Sequence, residues 1–85
     1  MANKPRLGVN VPDKFALAVL DTDYNPPIRG FRVGAAGNVS VDRLDGTTVV
    51  IPGLQAGETF KGMIKQINTS GTTVASPTTN IVVFW

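Results

Sequence analysis

The side chains that most often do chemistry are nearly missing from this sequence. It has no histidine and no cysteine. That removes the usual general base, the usual thiolate nucleophile and the commonest nitrogen and sulfur metal ligands. A serine–histidine–carboxylate triad cannot be assembled. A serine–lysine variant would need a serine held beside Lys61 or Lys65 in a cleft, and 85 residues leave little room for one. The carboxylates are Glu58 and Asp13, Asp21, Asp23, Asp42 and Asp45. Asp21 and Asp23 share one side of an extended segment and are the candidate pair for acid–base work. Both also precede Asn25-Pro26-Pro27, where aspartate serves as a turn former, and that is the expected role. Any metal would need oxygen ligands alone, and this loop offers too few for calcium. Gly34-Ala35-Ala36-Gly37 is followed by neither the Lys-Ser/Thr pair nor the helix of a phosphate loop. The expectation is a binding or structural module, not an enzyme, with no cofactor.

The cations are the remaining chemistry. Arg29, Arg32, Arg43, Lys61 and Lys65 could form a basic face, with Tyr24 and Phe31 for base stacking. That is how a small barrel would hold single-stranded nucleic acid. Strict alternation, however, puts Arg29 with Phe31 and Val33, and Arg32 on the opposite face with Ile28. A net charge of +2 is in itself no argument for a polyanionic partner. Charged residues are only 16% of the chain, against roughly 25% in ordinary soluble domains. The surface is therefore expected to be rich in Thr, Ser, Asn and Gly, or covered by partners.

The elements that would position these residues read as short strands. Phe15–Leu20 is continuously apolar and strand-sized, so it is expected to be buried. Ile28–Val33 follows a proline-rich loop. Asn38–Leu44 alternates with period two. Asp45-Gly46 then offers a tight hairpin turn, and the β-branched Thr47–Ile51 returns until Pro52-Gly53 ends it. Glu58–Asn68 alternates as one strand, with Phe60 and Ile64 on one face and Met63 and Ile67 on the other. Thr72–Ala75 is a short strand stopped by Pro77. Thr79–Trp85 is apolar on both faces, which predicts a central strand or contact with a neighbouring chain. The sum is an all-β domain over residues 13–85, a small β-sandwich or β-barrel of five to seven short antiparallel strands. Residues 1–12 precede it as an extended N-terminal arm carrying Leu7, Val9 and Val11. No secretory signal and no membrane-spanning apolar run is visible. A core this small rarely supplies more than roughly 3–5 kcal/mol. With disulfides excluded, oligomerisation is the expected supplement.

From Ile28 onward the chain resembles small head-associated virion proteins of tailed bacteriophages. The resemblance rests on IRGFRVGAAGNVSV, on TTVVIPGLQAGETFKGMIKQI and on SGTTVASPTTNIVVFW. The matching positions are Arg29, Val33, Gly34, Ala36, Gly37, Val39 and Val41, then Gly53, Ala56 and Gly57, then Gly71, Thr72, Thr73, Asn80, Ile81 and Val82. It covers about two-thirds of the chain and leaves out Met1–Leu20. It implies a capsid decoration (cement) protein that binds and stabilises the major capsid protein shell, with no catalytic residue. The expected location is the capsid surface of the virion, after synthesis in the host bacterial cytoplasm. A homo-oligomer, with a trimer favoured, would match a symmetry axis. The expected partner-interface residues are Leu7, Val9, Val11, Arg29, Arg32, Phe84 and Trp85. One alternative is a tail, spike-base or host-surface-binding virion module; the other is the nucleic-acid-binding barrel.

Overall fold

Alternation of apolar and polar positions drives each strand of this chain onto one of two sheets. The structure is a computed structural model, and it describes residues 14–85. The strands are β1 (Phe15–Leu17), β2 (Ile28–Val33), β3 (Gly37–Asp42), β4 (Thr48–Leu54), β5 (Thr59–Ile64), β6 (Gln66–Asn68) and β7 (Ile81–Phe84), with a one-turn helix α1 (Pro77–Asn80) before β7. They form two sheets, ordered β1-β7-β2-β5 and β4-β3-β6, with every pairing antiparallel. The all-β expectation therefore holds, as a two-sheet sandwich of seven strands among the described residues. The arm lies outside the described residues.

The core lies between the sheets. Phe31 and Val33 of β2 and Ile81 and Val83 of β7 face Val39 and Val41 of β3 and Ile67 of β6, all essentially fully buried. The Phe31 ring stacks on Phe60 of β5 at a centroid distance of 5.5 Å. The strand expected over Thr79–Trp85 is shorter, because Thr79 and Asn80 belong to α1; β7 is central, between β1 and β2, the first of the two placements expected from its two apolar faces. Ile81 and Val83 point into the core, while Val82 and Phe84 look outward and are half-buried.

Several local expectations are corrected. Phe15–Leu20 is not a buried strand: β1 ends at Leu17 and is an exposed sheet edge, with Phe15 74% and Leu17 53% accessible. Only Ala18 of this run is buried. Glu58–Asn68 is not one strand, because the chain changes sheets at Lys65. Ile64 and Ile67, expected on opposite faces, therefore both enter the core. β4 does not end at Ile51 but runs through Pro52 to Leu54. It is an edge strand, where a residue without an N–H is tolerated. Thr72–Ala75 is not a strand. The Thr72 and Thr73 hydroxyls accept from the β3 amides of Ser40 and Asn38 at 2.9 and 2.8 Å, taking the place of backbone carbonyls.

The β3–β4 hairpin has the expected Asp45-Gly46 turn but not its expected geometry. Only Gly46 has a positive φ, 90°, and its N–H donates to Arg43 O at 2.8 Å. Leu44 and Asp45 are thus the central turn residues, and Gly46 takes the left-handed bulge position after them.

Asp21 and Asp23 are loop residues, as expected of turn formers. Asp21 holds a left-handed conformation, φ 58°, and accepts from Thr69 N and Oγ1 at 3.0 and 2.6 Å. Those donors hold its carboxyl below the usual aspartate range. Asp42 is lowered by Thr48 and Asn68, and Asp45 by Thr47. A carboxyl depressed in the folded state stabilises it above the unfolded pKa of about 4 and loses that effect as the pH falls. The urea midpoint should accordingly drop between pH 7 and pH 3. The drop should be smaller in an Asp21→Asn variant; equal drops in the two proteins would remove Asp21 from this account.

Candidate functional site

The outward face of the four-stranded sheet carries the best candidate. The register sets two rows across it. One runs Phe15, Phe84, Gly30, Lys61; the other runs Leu17, Val82, Arg32, Thr59. Together they form a groove of about 500 Å³, with Phe15, Val82 and Phe84 as its apolar wall and Arg29, Arg32, Lys61 and Thr59 as its polar side. Met63, 48% accessible, continues the exposed face along β5.

Arg29 and Arg32 were expected on opposite strand faces, and the structure corrects this. Between Ile28 and Gly30, two steps along β2 match three along β5. This irregularity throws the alternation out of phase. Ile28, Phe31 and Val33 are buried, while Arg29 and Arg32, three positions apart, both reach the groove. Lys61 joins them from β5, so three cations share one face. The ion pairs among the described residues are Arg43–Asp45 at 3.5 Å and Lys65–Asp23 at 3.9 Å, and neither involves a groove residue.

Gly30 makes the groove possible. The Phe84 ring lies across it, and a Cβ built on Gly30 would stand 2.7 Å from Phe84 Cζ and 2.3 Å from Phe60 O. The bare backbone of β2 is thus the floor on which the aromatic wall rests.

The other aromatic residues proposed from sequence serve the fold. Phe31 is in the core, so it cannot stack on a base. The Tyr24 hydroxyl accepts from Val19 N and donates to Val19 O, each at 3.0 Å. Trp85 donates from Nε1 to Pro26 O at 2.7 Å and meets Tyr24 edge-on at 5.8 Å. The ammonium of Lys14 sits 5.0 Å from the Trp85 ring centroid. Trp85 therefore ties the last residue to the loop before β2. Of the expected interface residues, Arg29, Arg32 and Phe84 come together in the groove, Trp85 does not, and Leu7, Val9 and Val11 lie outside the described residues. Phe15 was missed as a site residue. Its signal was an apolar run with no polar residue to mark a solvent face.

What this arrangement can do is bind. It offers apolar area, three long cationic side chains and one hydroxyl. Among the described residues, no group of three or more acidic, histidine or cysteine side chains could hold a metal ion. Compared with known proteins, the chain matches no family model, no curated protein and no solved structure.

Proposed function

We propose that this chain is a capsid decoration protein, seated on the major capsid protein shell of a virion as a homo-oligomer. The observation that carries the proposal is the groove, which joins Arg29, Arg32 and Lys61 to an apolar wall on an exposed sheet face. Such a face suits a partner that presents carboxylates beside an apolar side chain. The resemblance of Ile28–Trp85 to head-associated virion proteins supports the same reading. Purified protein should cosediment with shells lacking it and raise their heat resistance. Reversing the three charges (Arg29→Glu, Arg32→Glu, Lys61→Glu) should weaken that binding by on the order of tenfold or more while the thermal unfolding curve of the free protein stays put. Undiminished binding by the triple variant would separate the groove from attachment. Failure of the native protein to bind any shell would defeat the proposal.

The gathering of three cations also favours a second reading, single-stranded nucleic acid across the same groove, with Phe15 and Phe84 as the stacking residues. That reading requires binding that falls steeply with salt and is lost in Phe15→Ala. Labelling of intact virions separates a head position from a tail or spike-base position.

A further inference from the structure

Each strand of the four-stranded sheet gives one kind of side chain to the outward face. β1 brings Phe15 and Leu17, and β7 brings Val82 and Phe84. β2 brings Arg29 and Arg32, and β5 brings Thr59 and Lys61. The groove is therefore polarised across its strands: the β1–β7 half is apolar and the β2–β5 half is cationic. Phe84 marks the boundary, because the tip of its ring reaches over Gly30 of β2.

The chain does not complement this face itself. Its described side-chain carboxylates are held elsewhere. Asp21 accepts from Thr69, Asp42 from Thr48 and Asn68, Asp45 from Thr47, and Glu58 from the Gln55 N–H. Asp23 pairs with Lys65. Residues 1–13 bring Lys4 and Arg6 and a single carboxylate, Asp13, so by charge they do not match three cations. The occupant has to bring its own negative charge.

We propose that the occupant is an extended acidic segment of the shell protein, laid across the strands in the order apolar-x-acid-x-acid from β1 to β5. The proposal takes from the capsid reading only the source of this segment. The order follows from the polarity of the groove, and the spacing from strand geometry. Four strands about 4.8 Å apart make a face about 14 Å wide, and the first, third and fifth side chains of an extended segment span about the same length. The first then falls on Phe15 and Phe84, the third beside the arginines and the fifth beside Lys61. Arginine suits the third position, since its planar fork takes a carboxylate through two parallel hydrogen bonds. This chain contains the pattern once, at Val19-Leu20-Asp21-Thr22-Asp23. There the backbone bends at Asp21, φ 58°, and both carboxylates are already engaged, so a second copy is a poor occupant.

The test uses two acetylated and amidated peptides of one composition, Leu-Thr-Glu-Thr-Glu and Glu-Thr-Leu-Thr-Glu, and an oligothymidylate. Each is titrated into the full-length chain and followed by amide nuclear magnetic resonance. The first peptide should shift the Gly30, Lys61 and Phe84 amides saturably. It should bind on the order of tenfold more tightly than the second, which has the same charge in the wrong order. Arg32→Glu with Lys61→Glu should abolish the shifts. Equal affinity for the two peptides overturns the proposal, as does an absence of shifts at those residues. Oligothymidylate bound more tightly than either peptide, with steep loss in salt, overturns it in favour of nucleic acid. The first peptide at saturation should also compete with shells for the protein. Shell attachment that survives saturation overturns the proposal and leaves the capsid reading intact. Ordered-peptide binding by a protein that attaches to no shell supports the groove chemistry and defeats the capsid reading.

Discussion

Replacing Phe31 by alanine should leave most of the chain unfolded at 25 °C. Phe31 is fully buried at the centre of the four-stranded sheet, with Phe60 and Val83 as its cross-strand neighbours. Its ring also supplies the stacked contact with Phe60. Truncating a buried phenylalanine to alanine costs about 3–5 kcal/mol, the transfer term plus the cavity left behind. A core of this size supplies a net stability of about the same magnitude. The loss therefore equals the whole margin. Circular dichroism should show the spectrum of a largely unfolded chain without denaturant, and Phe31→Leu, which keeps most of the volume, should remain folded with a cost of about 1.5 kcal/mol or less. A Phe31→Ala protein with a urea midpoint near that of the parent would mean that the sheets close over the gap.

Gly30→Ala is the second large effect, and its sign runs against propensity. Glycine within a strand is ordinarily a weak point, and alanine there should help by a few tenths of a kcal/mol to about 1 kcal/mol. Here the new Cβ would lie 2.3 Å from the Phe60 carbonyl oxygen and 2.7 Å from the Phe84 ring. The ring can swing away, but the carbonyl belongs to the paired strand and cannot move without parting β2 from β5. Overpacking of this kind costs about 1–3 kcal/mol. Two readouts separate the two clashes. The urea midpoint should fall in Gly30→Ala, and it should still fall when the same change is made in a Phe84→Ala background, because the carbonyl remains. Full relief in that background would place the whole strain on the ring. Displacement of Phe84 should also alter the groove, so under the proposed capsid role shell binding should weaken beyond what the lost stability explains.

The candidate site was only partly legible. The residue types were plain: Arg29, Arg32, Arg43, Lys61 and Lys65 were read as a possible basic face, of which Arg29, Arg32 and Lys61 line the groove, and Phe84 was expected at a partner interface. Their convergence was not. Strict alternation over Ile28–Val33 separates the two arginines, and only the irregular pairing with β5 brings them to one side. A register irregularity depends on how two strands, distant in the chain, meet. No pattern internal to one strand encodes it. Phe31 was misassigned for the same reason: in phase with Arg29 by counting, it is out of phase in the sheet.

Composition and local pattern were enough to settle what depends on single residues and their near neighbours. The lack of histidine and cysteine rules out the common triads and soft metal sites wherever the chain folds. Period two and regular turns dictate strands, and the doubly apolar Thr79–Trp85 calls for either a central strand or contact with a neighbouring chain. Tertiary structure alone decided the rest. It split Glu58–Asn68 between two sheets, because Ile64 and Ile67 reach one core only if the chain crosses over at Lys65. It moved Phe15–Leu17 from the interior to an edge, because no described strand pairs with β1 on the side away from β7. Hydrophobicity says that a segment seeks cover; which neighbour covers it, and on which side, is settled by the pairing of segments far apart in the chain.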